Sequence, residues 1–501
     1  MDLNKNSLIP KPVYLEATNS SFKLSRKTII YVDGSSEELY QIGQYLAEHL
    51  RPSTGFSLPV KVKSKKGKKG NITLSLSNNI QVQEKEGYKL TISEEQVLLE
   101  AKTAAGIFRG IQTIRQLFPS EIEKDEKQNM AWRIATGTII DYPEYAYRGT
   151  MLDVSRHFFG IADVKQYIEY LAYYKLNALH LHLSDDQGWR IEIKSWPKLT
   201  SIGGQTQVDG GKGGFYTQEE FKDLVRYASE RYITIVPEID MPGHTNAALA
   251  SYAGLNCDSV ARELYTGTNV GFSTLCTDKE ITYKFVDDVI REISEMNTGP
   301  YMHIGGDESH VTPLKDYIPF INRVKKIVES HGKTMIGWDE IANAEIDSTN
   351  LIQFWSNAKN ANMGIKKGAK VIVSPAQRAY LDMKYDSTTK LGLNWAAYIE
   401  VDQAYNWDPV NYTKGLKRKN ILGIESPLWS ETVTTLDEIE FLAFPRLAAH
   451  AEIGWTAYKS RTWDNFKQRL GKQGENIDAL GIDFYHSPKV PWTQDENAEV
   501  N

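Results

Sequence analysis

Short apolar, β-branched runs at 28–32, 71–76 and 88–92 mark strands in the first part of the chain. Between them and Tyr142, the segment 104–117 sets Ile107, Ile111, Ile114 and Leu117 along one face of a helix. Residues 1–142 therefore read as an α+β unit. From Tyr147 the pattern changes. Strand-like runs at 149–154, 178–183, 233–239, 301–304, 334–336, 351–354, 371–374 and 421–424 alternate with amphipathic helical segments at 163–174, 218–230, 279–296, 313–330 and 436–453. That alternation is the signature of βαβ units. Eight such runs in about 350 residues predict a (β/α)₈ barrel with long loops. The fold expected is thus α/β: a (β/α)₈ catalytic domain over 143–490, preceded by the smaller α+β domain and followed by a polar, loosely ordered tail over 491–501.

Composition narrows the function. With 41% hydrophobic and 24% charged residues, a chain of 501 residues can bury a sizeable core in two domains. A net charge of −6 argues against a dedicated nucleic-acid binder, and the basic stretch from Lys61 to Gly70 reads as a solvated turn. No apolar run approaches the roughly 18 residues a membrane span needs. The opening Met-Asp-Leu-Asn-Lys has no apolar leader segment, and a leader removed and replaced by a start Met would look the same. Cys257 and Cys276 stand in a stretch rich in Gly, Asn, Thr and Ser. They are either unlinked thiols or a bridge contributing roughly 3 kcal/mol, which would point to an oxidising compartment. Eleven Trp and 27 Tyr suit either core filling or the stacking of sugar C–H faces, and position must decide.

Position is informative, because barrel enzymes collect their chemistry at the C-terminal ends of the strands. The first end carries Asp153-Val-Ser-Arg156-His157 and the second Ser184-Asp185-Asp186-Gln-Gly-Trp189. Glu238-Ile-Asp240-Met-Pro-Gly-His244 follows the third, and His303-Ile-Gly-Gly-Asp307-Glu308 the fourth. Then come Gly337-Trp338-Asp339-Glu340, Phe354-Trp355-Ser356, Tyr380-Leu-Asp382, and Glu425-Ser-Pro-Leu-Trp429-Ser-Glu431. Neighbouring carboxylates repel, so one of Asp307 and Glu308 should have a raised pKa, as a general acid requires. Gly305 and Gly306 would let the backbone approach a ligand. Two-carboxylate glycosidases need the sugar ring between their groups. Adjacent residues do not easily flank it, so another nucleophile is needed.

Taken in order, these motifs resemble glycoside hydrolase family twenty, the β-N-acetylhexosaminidases, from about Tyr147 to Trp455. The N-terminal α+β unit resembles that family's non-catalytic domain. The resemblance implies a retaining, exo-acting enzyme in which the substrate's own 2-acetamido oxygen attacks the anomeric carbon, giving an oxazolinium-type intermediate. It makes Glu308 the general acid and later base, Asp307 the acceptor of the acetamido N–H, and Tyr380 the donor to the acetamido oxygen. Trp338, Trp355 and Trp429 would wall the acetamido methyl. Arg156, Asp382 and Glu431 would bind sugar hydroxyls, with Asp185 and His244 as a supporting pair and Asp240 close by. It also favours the Cys257–Cys276 bridge.

The resemblance implies a glycan or chitooligosaccharide as partner, no nucleic acid, no cofactor and no metal. Oligomeric state has no signature in the sequence. An extracytoplasmic location, periplasmic or secreted, is expected, with a cytoplasmic one as the alternative. Two other functions compete. His180 and His182, with Asp185, His244, His303 and Asp307, imitate the ligand set of a metal-dependent amidohydrolase. A sugar-binding protein that kept the pocket and lost the reaction is the non-enzyme alternative.

Overall fold

The computed structural model describes every residue except 35, 64–68 and 494–501, so parts of the basic turn and of the polar tail lie outside the described residues. By compactness the chain divides into two units: Met1–Glu144 with Ala172–Lys175 and Ala451–Asn501, and Tyr145–Leu171 with Leu176–His450. Sequence reading assigned everything up to residue 490 to the barrel, whereas residues after 450 group with the N-terminal unit. There Arg469 donates to the Leu8 carbonyl at 2.7 Å and pairs with Glu452 at 2.6 Å. The tail is anchored as far as it is described, the Trp492 indole donating to the Ser487 carbonyl at 2.9 Å.

The first unit contains a seven-stranded mixed sheet of β1 (Tyr14–Lys23), β2 (Ile30–Asp33), β3 (Val60–Lys63), β4 (Asn71–Leu76), β5 (Tyr88–Ile92), β6 (Gln96–Ala101) and β7 (Arg133–Asp141), in the order β1-β7-β5-β6-β4-β2-β3. The helix Ala104–Leu117 forms where the periodicity predicts it, with Ile107, Ile111 and Ile114 buried. Thr103 caps it, its hydroxyl accepting the Gly106 N–H at 3.2 Å. A second helix, Glu37–Thr54, begins at the Ser36 cap and ends at Gly55, whose φ of 63° provides the left-handed stop.

In the second unit β8 (Tyr147–Asp153), β9 (Ala178–His182), β10 (Thr234–Glu238), β11 (Tyr301–His303), β12 (Thr334–Trp338), β13 (Leu351–Phe354), β14 (Lys370–Val373) and β15 (Ile421–Leu428) form a closed parallel barrel. All eight lie where alternation predicts them. Two run further than expected, β12 to Trp338 and β15 to Leu428, so each presents a site residue at or just beyond its end. The helix expected over 436–453 is two, Leu436–Ala443 and Arg446–Trp455. Pro445 explains the break, because it has no N–H to donate and restrains Phe444 to an extended backbone (ψ 136°). Among the described residues, no helix is long and apolar enough to cross a membrane.

Strand period two stacks the barrel interior in layers. Tyr147, Ala178, Val236, Ile336, Leu351 and Ile372 form an apolar floor. Above it β9, β10 and β15 present His180, His182, Glu238 and Glu425, all buried. The site lies beyond this charged layer, at the C-terminal ends of the strands.

Candidate active site

The Asp307-Glu308 pair follows β11 through a backbone that only glycine could follow. Gly305 and Gly306 have φ of 65° and 95°, and a Cβ on Gly305 would lie 1.8 Å from Asp240 Oδ1. The close approach these glycines permit is to Asp240, and the Gly306 N–H donates to Asp240 Oδ1 at 3.0 Å. Glu308 itself takes φ 43° and His244 φ 55°, conformations that cost L-residues roughly 1–2 kcal/mol each. Such strain clusters where a side chain must be aimed. Here it aims both at one point: His244 Nε2 lies 3.4 Å from Glu308 Oε2 and 3.8 Å from Asp307 Oδ2.

A buried chain of charges stands behind His244. Its Nδ1 donates to Asp185 Oδ1 at 3.2 Å, and Asp185 Oδ2 accepts from His182 Nε2 at 2.7 Å and pairs with Arg156 at 3.0 Å. Burial opposes charging His244, but Asp185 outweighs it and holds the imidazole well above its ordinary pKa. Burial likewise opposes ionising Asp185, yet Arg156 and His244 hold it well below the carboxylate range. One member of the acidic pair is raised, as adjacency leads one to expect, but it is not the residue expected to act as the acid. The raised member is Asp307, through burial first, then the charges of Asp240 and Glu308. Glu308 is lowered, because hydrogen bonding and charge from His244, with help from Arg156, overcome its partial burial. Asp240 is pushed up to about 7 by burial and by Glu238.

Around this pair is a cavity of about 360 Å³. Its walls include the charged and polar side chains of Arg156, Asp185, Asp240, His244 and Glu431 and the rings of Trp355, Tyr380 and Trp429. The Trp338 ring packs 5.8 Å from Trp429, and Tyr380 lies 6.4 Å from Trp429. Arg156 spreads its guanidinium 4.9 Å above the Trp429 ring. Tyr380 is buried and pushed well above its usual pKa by that burial, then by Asp382 and Asp307, so its hydroxyl keeps a proton to donate. Among the described residues, both oxygens of Asp382, Oε2 of Glu431, Oδ1 of Asp307 and Nε of Arg156 are buried without a hydrogen-bond partner. Native proteins rarely leave such groups unmet. A cluster of them at and beside one cavity suits a ligand with many hydrogen-bonding groups.

The structure lines this cavity with most of the site residues expected from sequence, while Trp338 lies behind it against Trp429 and Asp382 lies close enough to Tyr380 and Glu431 to act on both by charge. It adds four that sequence reasoning missed. Trp395, 57% exposed, stands at the mouth beside Thr268, Val270 and Leu393. All four lie on long loops, where no strand-end motif marks them; the only signal is a tryptophan in the Gly-Leu-Asn-Trp turn. The bridged alternative for Cys257 and Cys276 is the one present, with Cα atoms 4.9 Å apart, and the loop it closes carries Thr268 and Val270.

Among the described residues, four His/carboxylate groups have ligand atoms close enough to hold a metal: His180-Glu238-His303, His182-Glu238-Asp240, Asp185-Asp240-His244 and His244-Asp307-Glu308. In the amidohydrolase reading, His180 and His182 would supply lone pairs. Instead both ring nitrogens of each face carboxylates, His180 between Glu425 at 2.8 Å and Glu238 at 2.9 Å, His182 between Glu238 and Asp185. Burial opposes their charge, but those carboxylates push His180 up to about 9 and His182 well above its usual value. They are imidazolium members of an ion-pair column.

Comparison with known proteins agrees with this geometry. Residues 145–317 and 309–458 match the catalytic-domain model of glycosyl hydrolase family 20, and residues 5–142 match the model of that family's domain 2. A β-N-acetylhexosaminidase from Cellulomonas fimi is 40% identical over 491 residues, 97% of each chain. The solved structure of a family 20 β-N-acetylhexosaminidase from Streptomyces coelicolor superposes with a TM-score of 0.94 at 49% identity, covering 98% of this chain and all of that one. A Streptomyces plicatus N-acetyl-β-hexosaminidase, solved with thio-NAglucal, matches with the same TM-score and identity over 98% of this chain and 99% of that one. The chain belongs to glycosyl hydrolase family 20 and is a glycoside hydrolase.

Proposed function

We propose that this β-N-acetylhexosaminidase is retaining and exo-acting, and releases terminal 2-acetamido sugars from glycans or chitooligosaccharides by substrate-assisted catalysis. The observation that carries the reading is Asp307, a buried carboxyl with one unpartnered oxygen, directly beside Glu308 and facing the aromatic pocket. Its raised pKa reflects a site hostile to bare negative charge. Positive charge developing on an acetamido group would remove that hostility, so the interaction strengthens as the reaction proceeds. Tyr380 holds the acetamido oxygen toward the anomeric carbon, and Trp338, Trp355 and Trp429 enclose the methyl. Attack by that oxygen breaks the glycosidic bond while Glu308 gives its proton to the leaving oxygen. Glu308 then takes a proton from the water that opens the oxazolinium ring, and the sugar leaves with its original anomeric configuration.

Arg156, Asp382 and Glu431 carry the unmet polar atoms that suit the hydroxyls of a terminal sugar. Glu308 still sees solvent, and filling the pocket would remove it, raising the acid toward the protonated state it needs. The Cys257–Cys276 bridge supports an oxidising, extracytoplasmic location. The test is turnover of an aryl N-acetyl-β-glucosaminide with the first-formed anomer followed by NMR. Release of the β-anomer is expected, and first formation of the α-anomer would eliminate the retaining route.

A further inference from the structure

A second recess of about 360 Å³, matching the active-site cavity in volume, lies between the loops that follow β13 and β14. Trp355 and Trp395 line both spaces, so these two rings form a shared partition. Trp395 meets Trp355 at 6.1 Å and Tyr380 at 6.0 Å in near-perpendicular ring pairs, and more than half of its surface stays exposed. On the far side Tyr412 is held against Phe354 at 6.0 Å and Trp407 at 5.7 Å. The polar side chains lining the recess are Ser356, Gln377 and Thr413 with the Tyr412 hydroxyl, and no charged side chain contributes. The catalytic cavity differs on this point, being lined by five carboxylates, an Arg and a His.

Aromatic faces alternating with neutral hydrogen-bonding groups suit a pyranose, whose C–H faces stack while its hydroxyls exchange hydrogen bonds. The absence of lining charge argues against a phosphate, a metal ion or an acidic sugar. The geometry points to the recess as a subsite for a neutral sugar unit of the substrate's leaving portion, reached by a chain that passes over the partition at Trp395. The inference rests on the glycan-hydrolysing reading above and extends it: the enzyme prefers chains of three or more units because the unit beyond the first leaving sugar is bound here.

The experiment compares kcat/KM on an aryl N-acetyl-β-glucosaminide, N,N′-diacetylchitobiose and N,N′,N″-triacetylchitotriose. Wild type should favour the trisaccharide over the disaccharide by about tenfold, the scale of one stacked sugar. Tyr412→Ala, and separately Thr413→Arg to crowd the recess, should erase that preference through KM and leave the aryl glycoside and disaccharide rates unchanged. The aryl rate also reports folding, and Thr413→Arg serves if Tyr412→Ala fails to fold. A preference that survives in the folded variants would overturn the inference, as would equal rates on the two oligosaccharides in wild type. Failure to cleave any of the three would instead count against the glycosidase reading itself.

Discussion

Trp338 donates its indole N–H to Glu238 Oε1 at 2.9 Å, while Oε2 of the same carboxylate accepts from His180 Nε2 at 2.9 Å and from His182 Nδ1. One fully buried glutamate therefore fixes the ring that backs the Trp429 wall of the pocket and joins the charge column that leads through His182 and Asp185 to His244. Wall and acid share a foundation.

Removing that anion leaves buried donors without an acceptor. Glu238→Gln should cost about 3–5 kcal/mol of stability, the usual penalty for breaking a buried charged pair. Urea unfolding measures it. A loss below about 1 kcal/mol would show that the column relaxes around the change.

The column also makes stability depend on pH. His180 has a folded pKa of about 9, above its unfolded value near 6.5, so its contribution is complete below pH 6.5 and lost as pH rises through 9. Asp240, a carboxyl raised to about 7, disfavours folding as pH rises from about 4 to 7. Asp185, Glu238 and Glu425 are lowered despite burial, through Arg156 and the buried histidines, and their contribution disappears only as pH falls below the ordinary carboxylate range. Melting temperature should therefore peak near pH 5 and decline toward pH 9. A flat or rising profile between pH 6 and 9 would contradict this account.

Glu308 and His244 should separate in kinetics. Glu308→Gln should lose most activity on natural glycosides and far less on aryl glycosides whose leaving group needs no proton. His244 holds Glu308 low, so His244→Asn should raise the pKa of the free acid and move the alkaline limb of kcat/KM to higher pH even as the maximum falls. Equal losses of Glu308→Gln on both substrate classes would remove it from the acid role, and an unmoved limb in His244→Asn would remove the coupling.

The Cys257–Cys276 loop holds one lip of the mouth. Gln187 donates to the Gly267 carbonyl at 2.8 Å, and the Asn246 amide to the Glu263 carbonyl at 2.9 Å, so the loop is fastened to the strand-end segments that carry Asp185 and His244. Replacing both cysteines by serine should lower stability by roughly 3 kcal/mol and raise KM more than it lowers kcat. Thiol titration of the denatured, unreduced wild type should find no free thiol. Two titratable thiols there would remove the bridge.

The barrel and most of its site were legible because both follow from strand period and strand ends. Asp307, Glu308, Trp338 and Glu431 each sit at or just past a strand that apolar alternation identifies. Legibility failed where tertiary packing decides. Strand β1 is largely polar and solvent-facing, so no apolar run marks it. Trp395 is placed by a long loop after β14 that has no periodicity. Adjacency alone could not say which carboxyl of the pair is raised, since the answer depends on Asp240 and His244 arriving from β10. The glycines at 305 and 306 were recognised as a close approach, but its partner, Asp240, is distant in sequence.

The nucleophile is the most exposed part of the mechanism. An acetamido oxygen already tethered to the sugar has a large effective concentration, so the protein needs only to hold it in its attacking pose. Asp307 faces the cavity with an unpartnered oxygen and a pKa raised by burial, and an N–H becoming more acidic as the ring closes is the partner it lacks. Asp307→Ala should therefore depress kcat by at least about a hundredfold with a much smaller change in KM, as expected when a contact is made chiefly in the transition state. A thiazoline mimic of the cyclised intermediate should bind far more tightly to wild type than N-acetylglucosamine does, and this advantage should shrink in Asp307→Ala. A 2-fluoro sugar, which has no acetamide to attack, should leave no covalent label. Mass spectrometry that finds a glycosyl adduct on Asp307, Glu340 or any other carboxylate would replace the substrate's oxygen with an enzyme nucleophile.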